Sequence, residues 1–277
     1  MFLNKMISRA VGAFALTAAM VAPAAQAQIP SELKVATITY WAPYEYKDPA
    51  TNKLIGFDID LFEAMAAKMG VKVTWVETSF DQIMSWNVIK TKRADVVISG
   101  LVDLPQHHAQ VDLIDYVWEN QVLFTLKTNA SKLPTWDSLC GKTVAVTRSA
   151  VFYHNALKPW NEENCVKAGK PAINIMGTEN TANSRLQLNQ GRADATVSGE
   201  AVLNYTNSVE GDRYVPIGKP FLRVLYGMGY EKGNTVMGDA LKKALTEVIA
   251  DGTYQKIHRK WKLPEGTGVD KPIVSNP

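Results

Sequence analysis

One short segment occurs twice in the chain. RADVVISG runs from Arg93 to Gly100, and RADATVSG runs from Arg192 to Gly199, ninety-nine residues later. In each copy a charged Arg-Ala-Asp opening leads into a run rich in β-branched residues and stops at Ser-Gly. That is the pattern of a buried strand delivering a small polar turn to a sheet edge. The flanks agree, since FDQIMSWNVIKTK before the first copy and NSRLQLNQG before the second both read as short helices feeding the strand. In open parallel sheets small ligands bind outside the carboxyl ends of strands, so Ser99-Gly100 and Ser198-Gly199 mark two edges where a pocket would form. A repeated strand ending that only packs is the competing reading.

With 277 residues, 46% hydrophobic and 21% charged, the chain has the make-up of a soluble globular protein of one large domain or two moderate ones. Residues 1–27 stand apart. Lys5 and Arg9 give a basic start, Val11 to Ala25 is apolar, and Ala25-Gln26-Ala27 is a small-x-small cleavage site, together a secretory signal peptide. No later stretch approaches the roughly eighteen apolar residues of a membrane span. No Cys follows the cleavage site to carry a lipid, so the mature protein is expected to begin near Gln28 and to be free in the export compartment. Without Lys5 and Arg9, 28 basic residues face 27 acidic ones, a net charge of about +1 that argues against nucleic acid as a partner. Cys140 and Cys165 are the only cysteines, and in an exported chain they favour a disulfide over two buried thiols.

Taken in order, Leu33–Thr39 reads as a strand broken by the aromatic turn Tyr40-Trp41-Ala42-Pro43-Tyr44. In the helix that follows, Phe57, Leu61, Ala64 and Met65 share one face, Asp58 and Asp60 sit in the first turn where they suit the helix dipole, and Gly70 ends it. A strand over 71–77, a helix over 81–92 and the first Ser-Gly strand complete a β-α-β-α-β series. Residues 101–111 form a loop carrying Asp103, His107 and His108. A second series begins with the strand at 142–146 and continues through a helix at 151–157, a strand at 173–176 and a helix at 182–190 to the second Ser-Gly strand. After 214–217 the chain passes 225–230, then makes a helix carrying Leu241, Leu245, Val248 and Ile249 that stops at Gly252, and a helix over 254–261 follows. The tail over 266–277 is expected to be loosely held.

GFDIDLFEAMAAKMGVKV at Gly56–Val73, the K-x-x-D-x-x-x-S-G run at Lys92–Gly100, LCGKTVAV at Leu139–Val146, GRADA at Gly191–Ala195 and ALTEVIADGTYQKIHRKW at Ala244–Trp261 occur in one order over essentially Leu33–Leu263. Jointly they resemble the family 3 solute-binding proteins of polar amino-acid ABC importers. The resemblance implies an α/β fold of two doubly wound lobes joined by two hinge crossings, the type II periplasmic-binding fold. Lobe one would span 32–124 plus 226–265 and lobe two 127–222, closing on a ligand like a hinge.

In amino-acid binders of this family an Arg after the first Ser-Gly edge and a Gly-Thr turn in lobe two clamp the carboxylate, and an Asp at the end of the second strand holds the ammonium. Here the corresponding positions carry His107, Ser149-Ala150 and Gly199, with Glu200 beside the last. An imidazole offers at most one donor where an Arg fork offers two parallel bonds, so the ordinary clamp is missing. Arg148 could bring a guanidinium to an anion, Glu200 could replace the Asp, and Trp41 aligns with the ring that stacks on the solute. Tyr40, Trp86, Trp118 and Phe152 could add faces, with core packing favoured for Trp86 and Trp118. Ser99, Gly100 and Leu101 would offer polar groups at the first edge, and Asp103 is an unassigned carboxylate.

The expected function is that of a monomeric carrier delivering a small nitrogen-containing solute to an inner-membrane permease. A cleft enzyme like cyclohexadienyl dehydratase, with Asp103, Glu200 and His107 as acid-base groups, and a sensor presenting ligand to a receptor are the alternatives. There is no GxSxG elbow and no HExxH, and the adjacent pair His107-His108 does not make a metal site, so no metal, no cofactor and no enzymatic turnover are expected.

Overall fold

The first strand, β1 (Glu32–Thr37), alternates exposed and buried positions and then becomes fully buried, as a strand does when it enters the middle of a sheet. The computed structural model describes residues 29–148 and 153–274. Helix α1 (Phe57–Met69) follows, and its Phe57, Ile59, Leu61, Phe62 and Met65 are buried. Each such side chain contributes roughly 1.5–3 kcal/mol on burial. Gly70 ends the helix in the left-handed region at φ 69°, where its N–H closes on the carbonyls of Ala66 and Ala67. Then come β2 (Lys72–Glu77), α2 (Phe80–Met84), α3 (Asn87–Lys90), β3 (Val96–Val97) and the long β4 (Val111–Leu126). The second series is β5 (Thr143–Thr147), β6 (Asn174–Thr178), α4 (Thr181–Asn189), β7 (Ala195–Gly199) and α5 (Glu200–Glu210). Strand β8 (Leu222–Glu231) and helices α6 (Thr235–Ala250) and α7 (Thr253–Lys260) complete the frame.

The strands lie in the order β2-β1-β3-β8-β4-β7-β5-β6. Strand β1 is parallel to β2 and β3, and β5 is parallel to β6 and β7. Each triplet is closed by an antiparallel strand: β8 beside β3, β4 beside β7. The two halves are therefore copies of one doubly wound plan. They are joined where β4 and β8 run antiparallel from Val111↔Glu231 to Gln121↔Leu222. These strands are the two crossings, and β3 and β7 both end beside them. Cys140 and Cys165 are bonded, with Cα atoms 5.5 Å apart.

Several elements differ from the sequence reading. The helix expected over 81–92 is two short pieces, because Trp86 turns left-handed (φ 57°) and sinks its ring into the core. The aromatic turn after β1 folds into a small sheet of Tyr40–Trp41, Glu45–Lys47 and Leu54–Ile55. Helix α5 went unread; its buried face is Ala201, Val202, Leu203 and Thr206. Of the helix expected at 151–157, the first residues lie outside those described, and Tyr153–Leu157 is wound as a π-helix. The tail is held as far as Val274. Thr267 and Val269 are buried, the Thr267 carbonyl accepts from the Trp118 amide at 2.7 Å, and Ile273–Val274 pairs with β4.

Candidate ligand-binding cleft

The first Ser-Gly edge is anchored from below. Ser99 Oγ donates to Glu45 Oε1 (2.8 Å) and accepts from the Ile38 amide (3.3 Å). Gly100, at φ 53°, donates its amide to Asp58 Oδ2 (3.0 Å), which also accepts from the Tyr116 hydroxyl (2.8 Å). Glu45 and Asp58 are wholly buried. Burial, then the neighbouring Asp58, pushes the Glu45 carboxyl well up. Burial raises Asp58 to about 7, and hydrogen bonds from Tyr116, Gly100 and Glu45 restrain it. Glu45 Oε2 and Asp58 Oδ1 are buried without a hydrogen-bond partner, and burial favours the protonated form of both carboxyls. Asp58 and Asp60 both stand in the first turn of α1, as the sequence reading has them, but Asp58 faces inward. Asp60 faces outward, accepting from Lys260 Nζ and Trp261 Nε1.

The predicted first-edge contacts divide sharply. Trp41 is half-buried, and its ring lies so close to Gly100 that a Cβ there would sit 3.3 Å from Cδ1 and Nε1, and 3.3 Å from Cε2 of Tyr226. The glycine leaves room for both rings at the strand end. Tyr40 is exposed beside it. The Ser99 hydroxyl points inward to Glu45 rather than offering itself to a solute. Leu101 is buried and its carbonyl accepts from Gly227 at 2.9 Å, so its backbone acceptor is engaged. His107 is also turned inward. Its ring meets Trp86 edge-on at 5.3 Å, and burial holds its pKa below the usual imidazole value, against the pull of Asp103 and the Val102 carbonyl. A neutral ring packed on a fully buried indole cannot replace an Arg clamp. Asp103 is paired with His108. Trp86 is core, whereas Trp118 is half-buried under the Arg223 guanidinium, 4.6 Å above its ring.

At the second edge Ser198 is buried and its Oγ has no partner. Gly199 leads into α5, whose first residue, Glu200, accepts from Asn120 Nδ2 at 2.8 Å. Beside them lies Glu119, a residue the sequence reading passed over. It sits in mid-strand on β4, wholly buried, and its Oε2 accepts from the Tyr44 hydroxyl at 2.6 Å. Its Oε1 receives the Ala201 amide at 3.4 Å. Burial raises Glu119 to about 7, while Tyr44 and the amides of Ala201 and Glu200 restrain it and the Glu200 carboxylate adds to the rise. Tyr44 belongs to the first half of the chain and α5 to the second, so Glu119 touches both sides of the crossing. Tyr46 and Tyr205 meet across the same junction, ring centres 5.4 Å apart.

Arg148, at the end of β5, is exposed, and its aliphatic stem covers Gly177. It lines a cavity of about 340 Å³ with Met176, Thr178, Glu179, Asn183 and Gln187. Ser149 and Phe152 lie outside the described residues. Among those described, no cluster of three or more His, Cys, Asp or Glu could hold a metal ion, and no helix is long and apolar enough to cross a membrane.

Two β/α lobes of one plan, bridged by two strands and with both Ser-Gly ends at the bridge, define a type II periplasmic-binding fold. The chain belongs to the bacterial extracellular solute-binding proteins, family 3, whose pattern matches residues 33–264. It is 28% identical over 252 residues to the histidine-binding periplasmic protein of Salmonella typhimurium, covering 87% of this chain and 91% of that protein. The structure of an ancestral arginine-binding protein bound to arginine superposes with a TM-score of 0.70 at 32% identity, covering 84% of this chain and 98% of the other. An ancestral amino acid-binding protein, a precursor of cyclohexadienyl dehydratase, superposes with a TM-score of 0.70 at 29% identity, covering 83% and 95%.

Proposed function

We propose that this protein is the substrate-binding component of an ABC importer. It captures a small polar, nitrogen-containing solute, an amino acid or a close derivative, between its lobes and delivers it to the inner-membrane permease. The observation that carries the reading is the convergence of Ser99-Gly100 and Ser198-Gly199 on one junction. That junction holds a half-buried Trp41 ring, and its carboxylates have no Lys or Arg partner among the described residues. Such a surface suits a solute that brings its own positive charge, and the histidine- and arginine-binding relatives support this. Trp41 and Gly100 line the solute from lobe one, with Gly199, Glu200, Arg148, Ser149 and Phe152 on the facing lobe. Lobe one comprises 32–124 and 226–265, and lobe two 127–222. The chain is exported by the cleavable segment 1–27, works in the periplasm as a monomer, and carries its solute without transforming it.

Calorimetric titration of the purified mature protein with L-histidine, L-arginine, L-lysine, small amines and small organic acids tests this. Tight binding of one nitrogen-bearing solute, recovered unchanged by mass spectrometry, is the expected result. A new product mass would replace the carrier by the dehydratase-like enzyme, and binding confined to organic acids would remove the solute class.

A further inference from the structure

Gly199 and Glu119 fill one space. A Cβ built on Gly199 would lie 2.5 Å from Oε2, 2.7 Å from Cδ and 3.1 Å from Cγ of Glu119. Any side chain at the end of β7 would have to displace the Glu119 carboxylate, so the bare strand end and the buried acid are two halves of one arrangement. Register explains the meeting. Gly199 pairs with Gln121, and Glu119 stands two residues along β4 on the same face. The carboxylate is therefore delivered sideways from a crossing strand to the place where the second Ser-Gly strand presents its carboxyl end.

The charge of that carboxylate is unbalanced. Its donors are the neutral Tyr44 hydroxyl and the amides of Glu200 and Ala201, the last at a long 3.4 Å. No basic group is among them. Glu200 stands next to it, and Glu45 and Asp58 lie under the other edge, held by the hydroxyls of Ser99 and Tyr116 and the Gly100 amide. A carboxylate has about four acceptor positions, and a buried one without a cation is stabilised strongly by any cation that reaches it. A bound ammonium can supply up to three donors and the missing charge.

On the proposed role as a solute carrier, we infer that Glu119 is the specificity-determining acid that pairs with an ammonium group of the solute, Gly199 being bare to admit it. The solute class is then a primary amine, with Trp41 and Tyr226 at the opposite edge covering its apolar part. Deaminated counterparts of the same size are rejected, because they leave the acid buried and unpaired.

The test uses matched probes, L-arginine and L-histidine against their 2-hydroxy-acid counterparts, titrated into wild-type protein, Glu119→Gln, and Glu119→Ala with Gly199→Asp, the Ala clearing the space that a side chain at 199 needs. Glu119→Gln is expected to weaken binding of the amine by about 30-fold or more, as loss of a buried charge pair does, while changing binding of the hydroxy acid less than about threefold. Glu119→Ala with Gly199→Asp empties that space and returns a carboxylate to the strand end, and is expected to restore the preference for the amine. If Glu119→Gln fails to fold, Glu119→Asp must keep that preference with weakened binding. Unchanged amine affinity in a folded Glu119→Gln variant overturns the role of Glu119 and leaves the carrier reading intact. A wild type that prefers the hydroxy acids overturns the role and the proposed solute class together.

Discussion

The ionisation of Glu119 should be visible in the stability of the empty protein. Its carboxyl titrates near 7 in the folded chain against 4.5 ordinarily, chiefly because it is buried. Below about pH 4.5 both folded and unfolded chains hold the proton, and the full contribution of the neutral acid is present. Between about 4.5 and 7 the unfolded chain loses the proton while the folded chain keeps it, so stability falls; above about 7 the loss is complete. At about 1.4 kcal/mol per pH unit, that interval is worth roughly 3 kcal/mol. Asp58, raised from 3.8 to about 7, adds a fall of similar size in the same direction, and it persists when Glu119 is changed. Urea unfolding of wild type and Glu119→Gln, followed by tryptophan fluorescence at pH 5 and pH 8, separates the two. Gln keeps an acceptor for the Tyr44 hydroxyl and removes only the titration. The wild type should lose more stability than the variant between these pH values, by roughly 2–3 kcal/mol. A difference below about 1 kcal/mol would falsify the assignment of a buried, titrating carboxyl at this position.

Two further outcomes test the same frame. Gly199→Ala places a methyl 2.5 Å from Glu119 Oε2 and should cost about 1–3 kcal/mol, of which most returns when Glu119→Ala is combined with it, since neighbours sharing one space are not additive; additive costs in thermal unfolding would show that the two do not share it. Replacing Cys140 and Cys165 by Ser opens a loop of 25 residues and should lower stability by roughly 3 kcal/mol with solute binding retained, measured by urea unfolding and calorimetry; an unchanged midpoint would contradict it.

The fold was legible because its signals are local. The face of α1, the glycines that end helices at Gly70 and Gly252, and the repeated Ser-Gly strand each lie within a short window where periodicity or backbone freedom decides the conformation. What was missed depends on long-range register. In β4 the burial does not alternate, because both faces of a central strand are covered, and Glu119 reads there as a polar interruption of an apolar run. Asp58 looks like an ordinary first-turn acid until Gly100 and Tyr116, 42 and 58 residues away, are seen to enclose it. His107 occupies the clamp position in sequence, yet Trp86 draws it into the core, so alignment gives its address without its orientation.

The same limit explains why Gly199 looked like a loss. Taken alone, a glycine at the position where the family resemblance implies an ammonium-binding Asp removes a charge. The carboxylate is instead supplied from eighty residues upstream, and only the pairing of Gly199 with Gln121 brings Glu119 onto that face. A strand register shifted by one residue would turn Glu119 to the opposite face and leave the end of β7 empty. The antiparallel pairing that joins the two lobes thus also decides which acid stands at their junction. On the role inferred for Glu119, the solute preference of this chain is set by a crossing strand as well as by the loops at the strand ends.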